Sequence, residues 1–340
     1  MNDSSHPICI IITGGTVVQD TAGNLVGVKH EDDVKKWIAA MPELLLMRAQ
    51  MDVRVFHTGS DADFIPDRWL AVCRFLYEHR NDYSGFVIVG SIANIPYLGN
   101  CIPLIIENLS FTVVLTGSQL PDYLLEIPGG LSDILARSHD VGLRANMMNA
   151  IHAVKRKGSG CYVVAGDKIV PSNRIELGEP LSAFPFSFPS KMFAGKVEFS
   201  MKLSEERAEV SAEEQRKNTV FLPYLETRVK FFEVTPLLTR EMLAKELEGA
   251  LGALFHITPT VSLPDTLQSL FDTRKALIPC VVFGRALMTP EGSALNDFRD
   301  AFLKKGIIVT REEGIAWVTV AFMWILAQTC DPSLIRRILT

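Results

Sequence analysis

Short apolar runs recur along this chain with longer amphipathic or polar stretches between them, and that alternation restricts the fold more than any single motif. The runs are residues 8–12, 53–56, 85–89, 112–115 and 162–164, then 229–233, 252–257, 280–283 and 307–309. Runs so short and so apolar suit strands buried on both faces, as in parallel sheets. Between them, 67–80 begins beside Pro66 and places Trp69, Leu70, Val72, Cys73, Leu76 and Tyr77 at helical spacing; 145–154 does the same through Met147, Met148, Ala150 and Ile151. Strand and helix in alternation predict βαβ units, an α/β fold built on a doubly wound parallel sheet.

The chain has 340 residues, more than one ordinary core accommodates, so two domains are expected. Apolar residues give way at 203–222 to Ser-Glu-Glu-Arg and Ala-Glu-Glu-Gln-Arg-Lys, and the division is placed there. This predicts an amino-terminal domain over 1–204, a linker or solvated helix over 205–228, and a carboxyl-terminal domain over 229–340.

The net charge is -5, and no basic block exceeds Lys155-Arg156-Lys157. Neither nucleic acid nor an anionic membrane is the expected partner; a small molecule or another protein is. The six cysteines lack CxxC spacing and mostly lie in apolar runs, and Met1 to His6 is polar where a signal peptide would be apolar. These features predict a cytoplasmic protein without structural disulfides. The apolar stretch 318–327 is too short to span a bilayer and reads as a core or interface helix, with Met323 and Trp324 in the core. The seven histidines show no HxH or HExxH pattern, so neither a metal site nor a cofactor is expected.

Thr13-Gly14-Gly15-Thr16 follows the first apolar run, and two glycines there permit a turn that side chains would obstruct. Thr16 therefore falls at a strand's carboxyl end, where open α/β sheets bind ligands. A hydroxyl at that place can attack a substrate while backbone amides receive developing negative charge. The competing reading is a plain tight turn.

Further motifs line up in order behind this one: Asp63-Phe64-Ile65-Pro66 followed by Trp69, the strand Gly85-Phe86-Val87-Ile88-Val89, Thr116-Gly117-Ser118-Gln119-Leu120-Pro121, Asn146-Met147-Met148-Asn149-Ala150, and Ser172-Asn173-Arg174. Taken together they resemble the TGGT, DMTPxxW, pre-GTDTM strand, TGSQxP, NLLNA and GNR segments of the bacterial-type L-asparaginases, a family shared with glutaminase-asparaginases and the archaeal tRNA-dependent amidotransferase D subunit. The resemblance implies a larger amino-terminal doubly wound domain, a smaller carboxyl-terminal α/β domain, and an intimate homodimer, often doubled to a homotetramer. It also implies a small amino acid or amide as ligand, with Thr16 as the catalytic nucleophile and Ser60, Asp61, Asp63 and Ser118 as substrate-binding positions.

The same resemblance exposes a defect. The family activates its weak threonine nucleophile through a Thr-Asp-Lys relay, and in register with it Ile92 stands for the second threonine, Ala93 for the aspartate and Leu177 for the lysine. None of the three can transfer a proton. The segment 17–29 lacks the tyrosine that closes over substrate in the family. The carboxylate-binding pair falls on Asp61 and Ala62, where an acidic residue repels an α-carboxylate, or, after a one-residue slip, on Ser60 and Asp61. Between Pro121 and Asn146 the connection is longer than the family's, which predicts a reshaped pocket rim or subunit contact.

Several residues have a structural reading beside the functional one. Asp63 either holds a ligand's amino group or caps the following helix. Lys168 is a remote candidate to replace the missing lysine, and His57 reads as a hydrogen-bonded structural histidine. Three functions follow: an amidohydrolase that uses Thr16 with a substitute base, a pseudoenzyme that binds a small amino acid or amide, and a structural or regulatory subunit. The favoured expectation is an asparaginase-like protein in which L-asparagine hydrolysis is weak or absent.

Overall fold

The computed structural model describes residues 6–15, 17–19, 25–28, 30–39, 50–118, 143–156, 158–179, 184–188, 195–196, 202–203, 218–235, 237–257, 278–284, 307–310 and 314–339. The chain divides into two compact units, Met1–Pro223 and Tyr224–Thr340.

In the first unit the strands are β1 (Ile8–Ile12), β2 (Val17–Gln19), β3 (Leu25–Gly27), β4 (Met51–Val55), β5 (Gly85–Ser91), β6 (Ile106–Glu107), β7 (Thr112–Ser118), β8 (Gly160–Ala165), β9 (Lys168–Pro171), β10 (Glu176–Leu177), β11 (Phe186–Ser187), β12 (Gly195–Lys196), β13 (Lys202–Leu203) and β14 (Val220–Phe221). The helices are α1 (Glu31–Ala39), α2 (Pro66–Glu78), α3 (Ile95–Ile105) and α4 (Leu143–Arg156), with a 3-10 turn at Asp61–Asp63. Eight strands form one sheet in the order β13-β12-β9-β8-β7-β5-β1-β4. Strands β8, β7, β5, β1 and β4 run parallel, and β9, β12 and β13 extend the sheet antiparallel.

All five residues of β1 are buried because β4 and β5 flank it and helices cover both faces. Ile8, Ile10, Ile12, Val87, Val89, Val114 and Val164 face α1 and α4, packing with Val34, Trp37, Met147, Ala150 and Ile151. The alternate residues point the other way, and there Phe86 meets Phe75 of α2 at 6.4 Å. Helix α2 also packs on α3, so these two share the second face.

The crossovers differ in hand. Helix α1 joins β1 to β4, one step along the sheet, while α2 and α3 step the opposite way on the opposite face, so these three share a hand. Helix α4 joins β7 to β8 in the direction of α2 and α3 but on the face of α1. Its crossover has the reverse hand, against a strong general preference for one hand.

Strands β5 and β7 outrun the apolar runs that announce them. Both continue through a Gly-Ser pair, with Gly90 opposite Gly117 and Ser91 opposite Ser118. The glycines let the two backbones approach closely, a Cβ at Gly117 standing only 2.2 Å from the Gly90 carbonyl oxygen, and the ladder extends towards its carboxyl edge. Residues 218–222, inside the expected 205–228 linker, carry β14, which pairs antiparallel with β6. Phe221 there stacks on Tyr77 at 4.6 Å.

The second unit contains β15 (Val229–Val234), α5 (Arg240–Glu246), β16 (Gly252–Ile257), β17 (Cys280–Phe283), β18 (Ile307–Val309), α6 (Ile315–Leu326) and α7 (Pro332–Leu339). Its strands form a wholly parallel sheet in sequential order. Val234, Leu243, Leu247, Phe255, Val282 and Val309 make its core. Val318, Val320, Phe322 and Ile325 are fully buried, which fits the core alternative of the core-or-interface helix expected there. Met323 is buried with them, whereas Trp324 is only partly so. No helix among the described residues is long and apolar enough to cross a membrane.

Candidate active site

Strands β1 and β5 are neighbours, yet the helices that follow them lie on opposite faces of the sheet. A crevice opens at such a switch point, outside the carboxyl ends of the strands. The segments there are Thr13-Gly14-Gly15 after β1, 57–63 after β4, the 91–94 turn after β5, and the end of β7.

Their backbones are drawn tightly together. Thr13 donates both its amide, at 2.8 Å, and its hydroxyl, at 3.2 Å, to the Val89 carbonyl. The Gly15 amide donates to the Gly59 carbonyl at 3.1 Å and the Ser91 amide to the Gly14 carbonyl at 3.3 Å. Gly15 has φ 71°, a left-handed conformation natural to glycine. At Gly90 any Cβ would stand 2.1 Å from Thr13 Oγ1. The glycines of this edge thus serve close approach of chain to chain.

His57 fills the space beside Gly14, where a Cβ would meet its ring carbon Cδ2 at 2.4 Å. Arg68 of α2 donates to its Nδ1, which puts the ring proton on Nε2, and Nε2 donates to the Ser60 carbonyl at 3.1 Å. Both ring nitrogens are therefore engaged, as expected of a structural histidine. Ser60 Oγ accepts the Ala62 amide at 3.3 Å, and the Asp63 amide donates to the Ser60 carbonyl at 3.1 Å, which forms the 3-10 turn. Asp61 opens that turn. Asp63 is exposed and does not cap α2: Ile65 is the cap residue and has no side-chain cap bond. Pro66 at the first helical turn removes one amide that would otherwise need a partner. The helix start is held instead by Phe64 and Trp69, both buried, with Trp69 Nε1 donating to the Phe64 carbonyl at 2.5 Å.

Three asparagines hold the rest of the edge. Asn146 of α4 donates Nδ2 to the Gly117 carbonyl at 3.1 Å and accepts the Gly166 amide on Oδ1 at 2.9 Å; Asn149 donates to the Gly166 carbonyl at 2.9 Å. Asn100 of α3, wholly buried, donates to the carbonyls of Pro96 and Ile175 and accepts the Arg174 amide at 2.5 Å. It thereby pins Arg174 in its left-handed conformation, φ 61°. The sequence pattern marks Asn146, Asn149 and Arg174 but says nothing of Asn100, whose partners Arg174 and Ile175 lie 74 and 75 positions away.

Residues 7–129 match the sequence model of the family described as Asparaginase, N-terminal. L-asparaginase from Thermococcus kodakarensis is 22% identical over 333 residues, 95% of this chain and 96% of that protein. The chain is thus similar to the L-asparaginases, by family model over its amino-terminal part and by sequence along nearly its whole length. L-asparaginase 1 of Escherichia coli K12 is 29% identical over 119 residues, so the matched part spans 34% of this chain and 34% of that protein. The solved thermostable L-asparaginase from Thermococcus kodakarensis has the same fold, with a TM-score of 0.72 at 20% identity over 98% of this chain and 96% of that one.

The three positions expected, by resemblance, to stand for the relay fall on two segments. Ile92 and Ala93 occupy the turn after β5, the first half-buried and the second exposed, and the Ala93 amide donates to Ser91 Oγ at 3.2 Å. Leu177 lies on β10, opposite Phe186 of β11, and is 44% exposed. Lys168 begins β9, and its ammonium lies over the Phe184 ring, 5.1 Å from the centroid. Ser118 ends β7 in register with Ser91. Thr16, the candidate nucleophile, and the long connection over 119–142 lie outside the described residues. Among the described residues no cluster of His, Cys, Asp or Glu is arranged to hold a metal ion.

Proposed function

We propose that this chain binds a small amino acid or amide at the carboxyl edge of β1, β4, β5 and β7 and hydrolyses L-asparagine weakly or not at all. The observation that carries the reading is the chemistry of the relay positions: Ile92, Ala93 and Leu177 offer no group that can take or give a proton. Losing general acid-base help costs about 100- to 10,000-fold in rate, and a threonine hydroxyl depends on it heavily. Lys168 supports no rescue, since its charge is directed to an aromatic ring. Thr16 would serve as a ligand hydroxyl, with Ser60, Asp61, Asp63 and Ser118 as the other ligand-binding positions.

A second reading, an active amidohydrolase, draws support from the retained Thr13-Gly14-Gly15-Thr16 and from relatives that are L-asparaginases. It requires a substitute base beside Thr16. We further propose a cytoplasmic homodimer or homotetramer, on family grounds alone. Light scattering on the purified chain tests the assembly, and a monomer throughout the micromolar range refutes it.

The deciding experiment measures ammonia release from L-asparagine and L-glutamine alongside ligand-induced thermal shift. Expected are stabilisation by a small amino acid or amide and negligible ammonia. Turnover on the order of 1 per second or faster, abolished by Thr16→Ala, overturns the reading in favour of the active enzyme.

A further inference from the structure

Helices α2 and α3 follow parallel strands, run in the same direction and pack side by side. Their first turns meet through Trp69 and Tyr97, whose rings stack at 5.7 Å. One helical turn further along each stand Cys73 and Cys101. Residues four apart share a helix face, so parallel helices in contact at 69 and 97 bring 73 and 101 opposite each other. The two thiols do interact, side chain to side chain. Both are fully buried. A third thiol, Cys161 of β8, lies nearby but is engaged with the Ser172 side chain.

The position of this pair gives it a consequence. Helix α2 begins just after the 60–63 turn, and α3 begins just after the 91–94 turn, so the seam between them joins the elements that carry two segments of the candidate site. We propose that Cys73 and Cys101 form a reversible disulfide that latches α2 to α3 and fixes those two segments relative to each other. The oxidant is a diffusible small-molecule disulfide. One cysteine thiolate attacks it and releases one small thiol; the second thiolate displaces the other, leaving a single Cys73–Cys101 bond. Two protons leave the protein, and its two electrons end on the released thiols. Both thiols are shielded by burial, which also raises the Cys73 pKa, so reaction proceeds through opening of the α2–α3 seam and is slow at neutral pH.

The test incubates the full chain with oxidised glutathione, blocks remaining thiols, digests without reductant and weighs the peptides. Cys330, exposed, is the internal control for oxidant reaching the protein. Expected is a linked pair of peptides carrying Cys73 and Cys101, absent after dithiothreitol, accompanied by a rise in melting temperature of about 5 °C or more. Cys73→Ala and Cys101→Ala should each abolish the linked pair and the rise, and two variants guard against one failing to fold. Modification of Cys330 without a 73–101 link, including in urea below the unfolding transition, overturns the proposal, as does linkage chiefly to Cys161. Ligand binding and ammonia release play no part in this outcome, so it stands or falls apart from the proposed function.

Discussion

The hydroxyl of Thr13 donates to the carbonyl of Val89 at 3.2 Å, and the same oxygen accepts the Thr13 amide at 2.8 Å. Of the two threonines that bracket Gly14-Gly15, this one is committed to joining β1 and β5, which leaves nucleophile or ligand chemistry to Thr16. Because Val89 keeps the amide bond when the hydroxyl is removed, Thr13→Val is expected to destabilise the chain by only about 1 kcal/mol. Urea unfolding measures it. A loss above about 3 kcal/mol would mean that the hydroxyl satisfies a second buried group.

Gly90 is closed to any side chain by the same threonine, since a Cβ there would stand 2.1 Å from Thr13 Oγ1 and 3.5 Å from Thr13 Cβ. Overpacking of this kind typically costs about 1–3 kcal/mol. Gly90→Ala should therefore be destabilising alone and much less so on a Thr13→Ala background, where the clashing oxygen is gone and the remaining contact is ordinary. A double-mutant cycle gives the coupling directly. Additive effects would place the strain elsewhere.

Asn146 bridges the Gly117 carbonyl and the Gly166 amide, tying the start of α4 to the ends of β7 and β8. Asn146→Ala orphans two backbone groups at a buried position, at about 1–3 kcal/mol each. Asn149→Ala orphans one. The expected order of melting temperatures is wild type, then Asn149→Ala, then Asn146→Ala, and a reversal of the last two contradicts the bridging role.

Alkaline pH should unfold the chain ahead of ordinary lysine titration. Burial pushes Cys9 and Cys161 up to about 12 from a usual 9, and burial together with the Asp52 hydrogen bond pushes Tyr83 up to about 12 from 10. A raised folded-state pKa means the unfolded chain loses these protons first. Their contribution is thus complete below about pH 9 and falls away as pH rises towards 12, by up to about 1.4 kcal/mol per pH unit for each buried thiol and by less for the partly exposed Tyr83. Chemical unfolding at pH 8, 9.5 and 11 measures the slope. Cys161→Ala should flatten it, and an unchanged slope in that variant refutes the assignment.

Where apolar runs end abruptly, sequence and structure coincide: Ile8–Ile12, Gly252–Ile257, Cys280–Phe283 and Ile307–Val309 are strands with those bounds. Strands β5 and β7 overrun their apolar runs through Gly90-Ser91 and Gly117-Ser118, paired in register where glycine lets the backbones approach closely, which hydropathy cannot register. The site's anchors are invisible for a related reason. His57 with Arg68, Asn100 with Ile175 and Asn146 with Gly166 are contacts between residues far apart in sequence, fixed only when the helices dock. For Asp63 the structure removes one of its two readings. A carboxylate ahead of a helix suggests a cap, but a proline start and the Phe64–Trp69 staple left the cap position to Ile65.

The last prediction concerns the relay itself. Ile92 and Ala93 lie on the turn after β5 and Leu177 on the β10–β11 hairpin, so restoring a proton path needs both segments at once. Ile92→Thr, Ala93→Asp and Leu177→Lys made together should raise ammonia release from L-asparagine above wild type. Each change alone should do little, because groups that act as a unit lose nearly everything when one is missing. The partial exposure of Ile92, Ala93 and Leu177 lets polar replacements remain solvated, so folding should survive the triple change. Thr16→Ala on the triple background should return the activity to the wild-type level. Steady-state ammonia assays on the five variants decide the matter: a folded triple variant no faster than wild type would show that the relay positions are not what limits this site.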